Sequence, residues 1–314
     1  MLACIGELLI DFLPLPGDKH TPAFRAHPGG SPMNVAVGLA RLGQPTAFIA
    51  KLSRDLFGRL LREHLDQAGI DTRFLVESDA PTTLAFVTMT DGEPQYAFYG
   101  QGAADTLLEP RELAPELETS LDLLHFGSIS LTRGSTPAAV LAAAERLAGR
   151  ALLSFDPNIR PDWVHDEAEY RSLLDRLFAV ADIVKVSGAD LAWLAPGDAP
   201  ETAAQRILER GPGLVALTRG SQGASLMRAD GCWSVPPVPV QVVDSVGAGD
   251  TFDAGLLAAL VRRGATSRAT LVGLDEQALT SALQYAATAA ALACSRAGAN
   301  PPTAGEVDAL LTAG

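Results

Sequence analysis

The chain has 314 residues, enough to bury a large core in one α/β domain or in two smaller ones. Its formal net charge of −13 argues against nucleic acids and anionic membranes as partners. No apolar run approaches the roughly 18 residues of a membrane span, and no basic residue precedes Lys19, as a secretion signal would require. We therefore predict a soluble globular protein.

The cysteines and histidines give no metal or disulfide pattern. Cys4, Cys232 and Cys294 are widely separated and odd in number, which predicts buried free thiols in a reducing compartment, the cytoplasm. The five histidines are scattered without a pair at metal-ligand spacing, so we expect no dedicated zinc site.

The first predicted elements are a strand at residues 2–10 that ends at Asp11 and a helix at residues 35–42 that stops at Gly43. Residues 13–28 between them are rich in proline, glycine and polar residues, which indicates irregular or edge structure. Asn34 falls in the first turn of this helix. It is placed either to hydrogen-bond a ligand there or only to cap the helix.

A second strand is predicted at residues 47–51, and an amphipathic helix follows at residues 55–68. Residues 82–90 and 95–99 then alternate in polarity around Asp91-Gly92, which predicts a β-hairpin. This hairpin interrupts the strand–helix rhythm. We therefore predict that it projects from the main sheet and forms, with residues 13–28, a small flap over a site.

The middle of the chain repeats strand and helix, which predicts a parallel sheet covered on both faces. The predicted strands are residues 121–126, 151–155, 182–186 and 214–217, with a helix at residues 137–148. Ligands of such folds bind beyond the carboxyl ends of the strands. Polar and glycine residues collect at those ends: Asp11, Ser128, Asn158, Arg160, Ser187, Thr218, Gly220 and residues 247–250.

A glycine-rich turn marks the predicted chemical centre. A β-branched run at residues 238–243 predicts a buried strand, and residues 252–261 have helical spacing. The turn Gly247-Ala248-Gly249 between them leaves the first helical N–H groups unpaired, and with the helix dipole these form a site for an anion. Asp250 stands at that site. A carboxylate there repels phosphate unless it takes a proton from an attacking hydroxyl, which suggests phosphoryl transfer; otherwise Asp250 only caps its helix.

Two common nucleotide motifs do not fit. The dinucleotide fingerprint needs a third glycine where Phe252 stands, and a P-loop needs a lysine that none of Lys19, Lys51 or Lys185 supplies. The chain is predicted to end with an alanine-rich helix at residues 282–292, a break at residues 298–302 and a short last helix.

Two motifs together carry a family resemblance. Gly29-Gly30-x-x-x-Asn34-x-Ala36 resembles the first signature of the PfkB (ribokinase-like) carbohydrate kinases, and Asp244-Ser-Val-Gly-Ala-Gly-Asp250-Thr-Phe resembles the second. The resemblance covers nearly the whole chain. It implies a single ribokinase-like α/β domain over residues 1–314, with a central mostly parallel sheet, helices on both faces, and a small β lid formed by residues 13–28 and 82–100.

Within this family the chain is most similar to the bacterial fructokinases, in the stretches 84–87, 124–130, 154–160 and 182–187. This resemblance implies ATP-dependent phosphorylation of a primary hydroxyl on a free sugar, O6 of fructose. The 2-keto-3-deoxygluconate kinases share a similar Asp-Pro-Asn-x-Arg stretch and are the alternative. Ribokinases, nucleoside kinases and a non-catalytic sugar sensor follow.

The resemblance also implies roles for individual residues. Asp250 would be the base, and the amides of Gly247, Ala248 and Gly249 would form the anion hole. The sugar would contact Asp11, Gly30, Asn34, Phe98, Asn158 and Arg160, whereas the nucleotide would contact Lys185, Ser187, Thr218, Gly220, Gly249 and Asn300.

The implied ions are Mg²⁺, which Asp190 would hold through water, and a monovalent cation such as K⁺ at Asp244 and the carbonyl of Val246. The hairpin near Phe98 is often a dimer contact in this family, which implies a homodimer through the lid. The family's Asn-x-x-Glu stretch appears here as Ser187-x-x-Asp190. Since aspartate is one methylene shorter than glutamate, the metal contact is expected to lengthen or shift.

Overall fold

The computed structural model describes residues 1–15, 23–90 and 93–313. The strands are β1 Leu2–Ile5, β2 Leu9–Pro14, β3 Phe24–Gly29, β4 Thr46–Ser53, β5 Leu75–Ser78, β6 Leu84–Thr90, β7 Glu93–Tyr99, β8 Leu123–Gly127, β9 Leu152–Asp156, β10 Ile183–Ser187, β11 Leu214–Thr218, β12 Ala224–Arg228 and β13 Gly231–Val235. The helices are α1 Ser31–Arg41, α2 Leu56–Gln67, α3 Leu117–Ser120, α4 Thr136–Leu147, α5 Glu167–Val180, α6 Gly188–Leu194, α7 Pro200–Leu208, α8 Ala248–Arg262, α9 Arg268–Val272, α10 Glu276–Cys294 and α11 Ala304–Ala313.

In the described part of the chain, nine strands form one sheet in the order β13-β12-β11-β10-β9-β8-β1-β4-β5. The strands from β11 to β5 run parallel, and β12 and β13 continue the sheet antiparallel. Side chains of a strand alternate between the two faces of its sheet. Leu2 and Cys4 of β1 accordingly join one core with α1, α8 and α10, whereas Ala3 and Ile5 join a second core with α4, α5 and α7. The predicted α/β class with helices on both faces is confirmed.

A separate sheet of four strands has the order β3-β2-β6-β7. β6 and β7 pair antiparallel, as the alternation predicted, and their turn at 91–92 lies outside the described residues, as do residues 16–22 of the predicted flap. β3 is an edge strand, in agreement with the composition of residues 13–28.

The predicted first strand, residues 2–10, is wrong as a single element. β1 ends at Ile5 in the large sheet and β2 begins at Leu9 in the small one. Gly6 turns the chain with a φ of 150°, a conformation that favours glycine, and Glu7 beside it is buried. Asp11 therefore lies within the small sheet and not at the end of a strand of the large sheet.

The predicted buried strand at residues 238–243 is also wrong. This segment has no regular secondary structure, and the side chains of Val242 and Val243 are 66% and 61% exposed. Prolines at 236, 237 and 239 supply no N–H groups for a strand ladder, so the β-branched residues cannot join the sheet. The antiparallel strands β12 and β13, which the sequence did not reveal, complete that edge.

The cysteines are free, but the prediction of buried thiols holds only for Cys4. Cys294 is partly buried, and Cys232 is exposed. Cys232 lies on the edge strand β13, where alternate side chains face solvent.

Helix α8 is held in place by α10 and α1, which pack along its length. α8 approaches α10 closely at Gly255. A Cβ atom there would lie 2.9 Å from Cα of Ala286 and 3.2 Å from Cβ of Ala289. This contact sets the distance between α8 and α10, and with it the position of the first turn of α8.

We expect Gly255→Ala to lower the free energy of unfolding by about 1–3 kcal/mol, because overpacking outweighs the gain of about 1 kcal/mol that alanine brings to a helix. Gly305→Ala in α11 is the matched control, since no atom lies within 4 Å of its Cβ position. It should leave stability unchanged or raise it. Urea unfolding of both variants measures the difference, and equal effects would contradict the packing argument.

Candidate active site

Two helices begin at the same place, and each begins after a glycine. Gly30 precedes α1 and Gly247 precedes α8, with φ angles of 116° and 72°. A Cβ atom would lie 2.7 Å from the carbonyl oxygen of Glu7 in the first case and 2.8 Å from Cβ of Ala299 in the second. Only glycine combines these conformations with such close neighbours. The two glycine motifs thus bring the positive ends of two helices together.

The carboxylate of Asp250 lies between these helix ends. It is 7% exposed, and its Oδ1 accepts a hydrogen bond from Oγ of Ser31 at 2.7 Å. Its Oδ2 accepts from Nδ2 of Asn34 at 2.8 Å, across a sequence separation of 216 residues. Neither Asp250 nor Asn34 caps a helix, because Gly30 and Gly247 hold the cap positions. The capping interpretations of both residues are therefore wrong.

Free amides lie beside this carboxylate. The amide of Ala248 donates to the carbonyl of Ser245 at 3.2 Å, whereas within the described residues those of Gly247 and Gly249 donate to no protein acceptor. Unpaired N–H groups at a helix start bind anions. The first turn of α8 therefore offers an anion site next to an acid.

Asp11 faces the same site from β2 of the small sheet. Its carboxylate lies against Gly29, and burial, with a smaller contribution from the charge of Asp250, raises its pKa to about 6. A carboxyl group that is partly buried without a cation is costly to ionise. Ionisation of Asp11 above its pKa therefore lowers the free energy of unfolding.

We expect Asp11→Asn to stabilise the fold at pH 8. The native state binds more protons than the unfolded state between about pH 4 and 6, so the wild-type free energy of unfolding falls as pH rises through this window. The pKa shift corresponds to at most about 3 kcal/mol, and partial exposure reduces our expectation to about 1 kcal/mol.

Urea unfolding at pH 5 and pH 8 measures this effect. The stability advantage of the variant over the wild type should be smaller at pH 5, which lies within this window, than at pH 8. Asp308→Asn, at an exposed aspartate of α11, should show no such difference. A variant less stable than the wild type at pH 8 would contradict the expected cost of ionising Asp11.

A buried ionic cluster lies behind the anion site. Nζ of Lys185 donates to Asp156 at 2.7 Å and lies 3.7 Å from Asp253. All three side chains are at most 5% exposed. A Cβ atom on Gly249 would lie 3.1 Å from the same Nζ, so the ammonium group sits directly behind the first turn of α8. Lys185, predicted as a nucleotide ligand, is committed to two carboxylates and placed beneath the amides.

Three of the remaining predicted nucleotide residues lie at neighbouring strand ends, and the fourth, Asn300, lies between α10 and α11. Ser187 and Thr218 pair in register at the carboxyl ends of β10 and β11, and Gly220 follows with open space around it. Asn300 accepts a hydrogen bond from Arg41 at 2.8 Å and follows Ala299, which touches Gly247. Ser187, Thr218 and Gly220 thus lie at the ends of neighbouring strands, whereas Asn300 lies near the start of α8.

Asp190 forms a capping box with Ser187 and also accepts a hydrogen bond from the amide of Ile159 at 2.7 Å. Asp244 accepts from the amides of Val246 at 3.0 Å and Gly298 at 2.8 Å. Among the described residues, no group of three His, Cys, Asp or Glu side chains could hold a metal.

The other predicted sugar contacts are Asn158, Arg160 and Phe98, and the structure describes the side chains of the first two. Asn158 and Arg160 follow β9, and Asn158 donates to Ser31 at 3.0 Å. Phe98 pairs with Ala85 in the small sheet, and its side chain is not described. Sequence reasoning missed Glu7, Ser31 and Asp253. The only available signal was a charged residue, Glu7, inside an apolar run.

The α/β fold, with an acid beside free helix-terminal amides, agrees with the resemblance to the ribokinase-like sugar kinases. The model of the pfkB family carbohydrate kinases matches residues 1–304, and the chain belongs to this family. Within the described residues, no helix has the length and apolar character to cross a membrane.

Several proteins similar to this chain are fructokinases. One from Rhizobium leguminosarum bv. trifolii is 38% identical over 279 residues, which cover 89% of this chain and 85% of that protein. The crystal structure of fructokinase with bound ATP from Xylella fastidiosa has a TM-score of 0.92 and 31% identity, covering 99% and 98% of the two chains. A fructokinase double mutant from Vibrio cholerae O395, in a form that binds fructose, ADP and potassium ion, has a TM-score of 0.86 and 26% identity, covering 99% and 97%.

Proposed function

We propose that this chain is an ATP-dependent fructokinase that converts D-fructose to fructose 6-phosphate. The observation that carries the proposal is the placement of Asp250 at the start of α8, where it faces Asn34 and Asp11 and lies beside the free amides of Gly247 and Gly249. The fructokinases among its relatives support fructose as the sugar and ATP as the phosphoryl donor.

The reaction follows from this geometry. Asp250 takes the proton of the 6-hydroxyl, whose oxygen forms a bond to the γ-phosphorus while the bond between that phosphorus and the ADP oxygen breaks. Positioning and charge stabilisation supply most of the acceleration in such a transfer. The amides of Gly247 and Gly249 point at the charge that develops on the phosphoryl oxygens. The amide of Ala248 joins them only if it leaves the carbonyl of Ser245.

The two sheets divide the substrates between them. The sugar lies near Asp11, Gly30 and Asn34, with the small sheet as a lid that excludes water. The remaining contacts in this proposal are those to the sugar from Phe98, Asn158 and Arg160, and those to the nucleotide from Lys185, Ser187, Thr218, Gly220, Gly249 and Asn300. Lys185 acts on the nucleotide from behind Gly249, because its ammonium group is buried.

The ions take few protein ligands in this proposal. Mg²⁺ would be held mainly by the nucleotide phosphates, whose charge it would neutralise, and Asp190 would contribute through water. Asp190 keeps one lone pair for this contact, since three of the four on its carboxylate accept protein hydrogen bonds. A monovalent cation, K⁺, would be held by Asp244 and the carbonyl of Val246. The protein acts in the cytoplasm and forms a homodimer through the lid.

A coupled assay of ADP release tests the function directly. Fructose, 2-keto-3-deoxygluconate, ribose and adenosine are supplied separately with ATP and Mg²⁺. The highest kcat/KM is expected with fructose. Preference for 2-keto-3-deoxygluconate would assign the alternative kinase, and turnover of none of the four would favour a sugar sensor.

One structural observation favours the alternative function, a 2-keto-3-deoxygluconate kinase. Arg160 is exposed at the mouth of the site, next to Asn158. Its guanidinium could face a substrate carboxylate, which 2-keto-3-deoxygluconate has and fructose lacks. Arg160→Gln would then raise KM strongly for that acid and weakly for fructose.

A further inference from the structure

Hydrogen bonds link Arg160 at the surface to the carboxylate of Asp250. Nη1 of Arg160 donates to Oδ1 of Asn158 at 2.7 Å, and Nδ2 of Asn158 donates to Oγ of Ser31 at 3.0 Å. Oγ of Ser31 then donates to Oδ1 of Asp250 at 2.7 Å. Three separate parts of the chain, the loop after β9 and the starts of α1 and α8, are joined in this way.

The direction of each bond is set by the chemistry of the groups. A guanidinium can only donate, so the oxygen of the Asn158 amide faces Arg160 and the nitrogen faces Ser31. This nitrogen can also only donate, so Oγ of Ser31 accepts from it. The hydroxyl has a single proton, and that proton is left for Asp250.

The backbones of Ser31 and Asn158 hold this series of hydrogen-bonded side chains in place. The amide of Ser31 donates to Oε1 of Glu7 at 3.0 Å, and Oε2 of Glu7 accepts from the amide of Ser130 at 3.1 Å. Glu7 is 2% exposed. Asn158 has a φ of 40°, a left-handed conformation that asparagine adopts more readily than most residues but that still costs energy and depends on its contacts. Such backbone strain is common where a site requires one side-chain position.

From this geometry we propose that Ser31 is a positioning residue that orients the Asp250 carboxylate for proton transfer, as the last member of the chain Arg160–Asn158–Ser31. The inference rests on the proposed function of Asp250. Asn34 holds Oδ2 and Ser31 holds Oδ1, so the plane of the carboxylate is fixed. Each oxygen retains a second lone pair for the substrate hydroxyl. Without Ser31, the carboxylate can rotate away from the productive angle.

Ser31→Ala is expected to lower kcat about tenfold and to change KM for fructose less than about twofold, because a misaligned base slows the chemical step without removing a substrate contact. Ser31→Thr keeps the hydroxyl and should remain within about threefold of the wild type. The matched control is Ser135→Ala, since Ser135 starts α4 without a side-chain cap bond. This control should retain wild-type kcat.

Asn158→Asp provides an independent variant. A carboxylate at this position can only accept, so it draws the Ser31 hydroxyl away from Asp250. The kcat of Asn158→Asp should fall at least as far as that of Ser31→Ala. The double variant Ser31→Ala/Asn158→Asp should be no slower than Asn158→Asp alone. Wild-type kcat in Asn158→Asp would overturn the proposal even if Ser31→Ala failed to fold.

A double-mutant cycle separates positioning from a general structural role. If Ser31 acts through Asp250, Ser31→Ala should change the residual rate of Asp250→Asn less than about twofold. A further tenfold loss in that background, or wild-type kcat in Ser31→Ala alone, would overturn the inference. If Asp250→Asn is inactive and Ser31→Ala normal, only this inference fails. If Asp250→Asn turns over fructose normally, the proposed function of Asp250 fails first.

Discussion

Replacement of Asp250 by asparagine is expected to lower kcat by at least about 10²–10³-fold while ATP still binds. Asparagine has nearly the same shape, and its oxygen can still accept a hydrogen bond from Ser31 or Asn34. It cannot take a proton from the sugar hydroxyl. The variant therefore removes the chemical step and leaves the free amides of Gly247 and Gly249 in place.

The coupled assay gives kcat for the Asp250→Asn variant, and isothermal titration gives its affinity for ATP. Asp308→Asn serves as the control, because it makes the same substitution at an exposed position of α11. Turnover within a few-fold of the wild type would rule out Asp250 as the base. Loss of ATP binding together with turnover would instead indicate that the substitution disturbs the anion site.

Lys185→Met should cost about 3–5 kcal/mol of folding stability, because it leaves Asp156 and Asp253 buried without their cation. Methionine fills a similar volume, so the loss reflects charge more than packing. The carboxylates can bind protons when the cation is gone, and the native state then binds more protons than the unfolded state. The deficit should therefore be smaller at pH 5 than at pH 8, as urea unfolding at both values will show.

The two carboxylates should not be equivalent. Burial raises the pKa of both, and the hydrogen bond between them requires a proton on one. We assign this proton to Asp253, because Nζ of Lys185 lies 2.7 Å from Asp156 and 3.7 Å from Asp253.

Asp253→Asn should accordingly be tolerated better than Asp156→Asn, since asparagine resembles a neutral carboxyl group. In the Lys185→Met background, Asp253→Asn should restore part of the lost stability. A greater loss with Asp253→Asn than with Asp156→Asn would place the proton on the other carboxyl.

The sequence anticipated the parts of the site that depend on local rules. The glycines before α1 and α8 have steric requirements that neighbouring residues reveal, and Asn34 and Asp250 follow them at short spacing. The pairing of Asn34 with Asp250 was available only through the family resemblance, since 216 residues separate them. The parallel sheet followed from the alternation of strands and helices.

The predictions that were wrong also have physical causes. The β-branched residues 238–243 have strand propensity, but the surrounding prolines lack the N–H groups that pairing with a neighbouring strand requires. The break at Gly6 could not be recognised because both halves of residues 2–10 are apolar and belong to different sheets. Ser31 and Asp253 act through contacts distant in sequence, and no local pattern distinguishes Ser31 from an ordinary helix-start serine.

The crossing at residues 6–8 also limits how the two sheets can move. A chain extends at most about 3.5 Å per residue, so Ile5 and Leu9 stay within about 14 Å of each other. Glu7, which binds the start of α1, lies in this short connection. The small sheet therefore stays tethered close to the large sheet at this point, and a change in its orientation would act through Glu7 on the helix that holds Asn34.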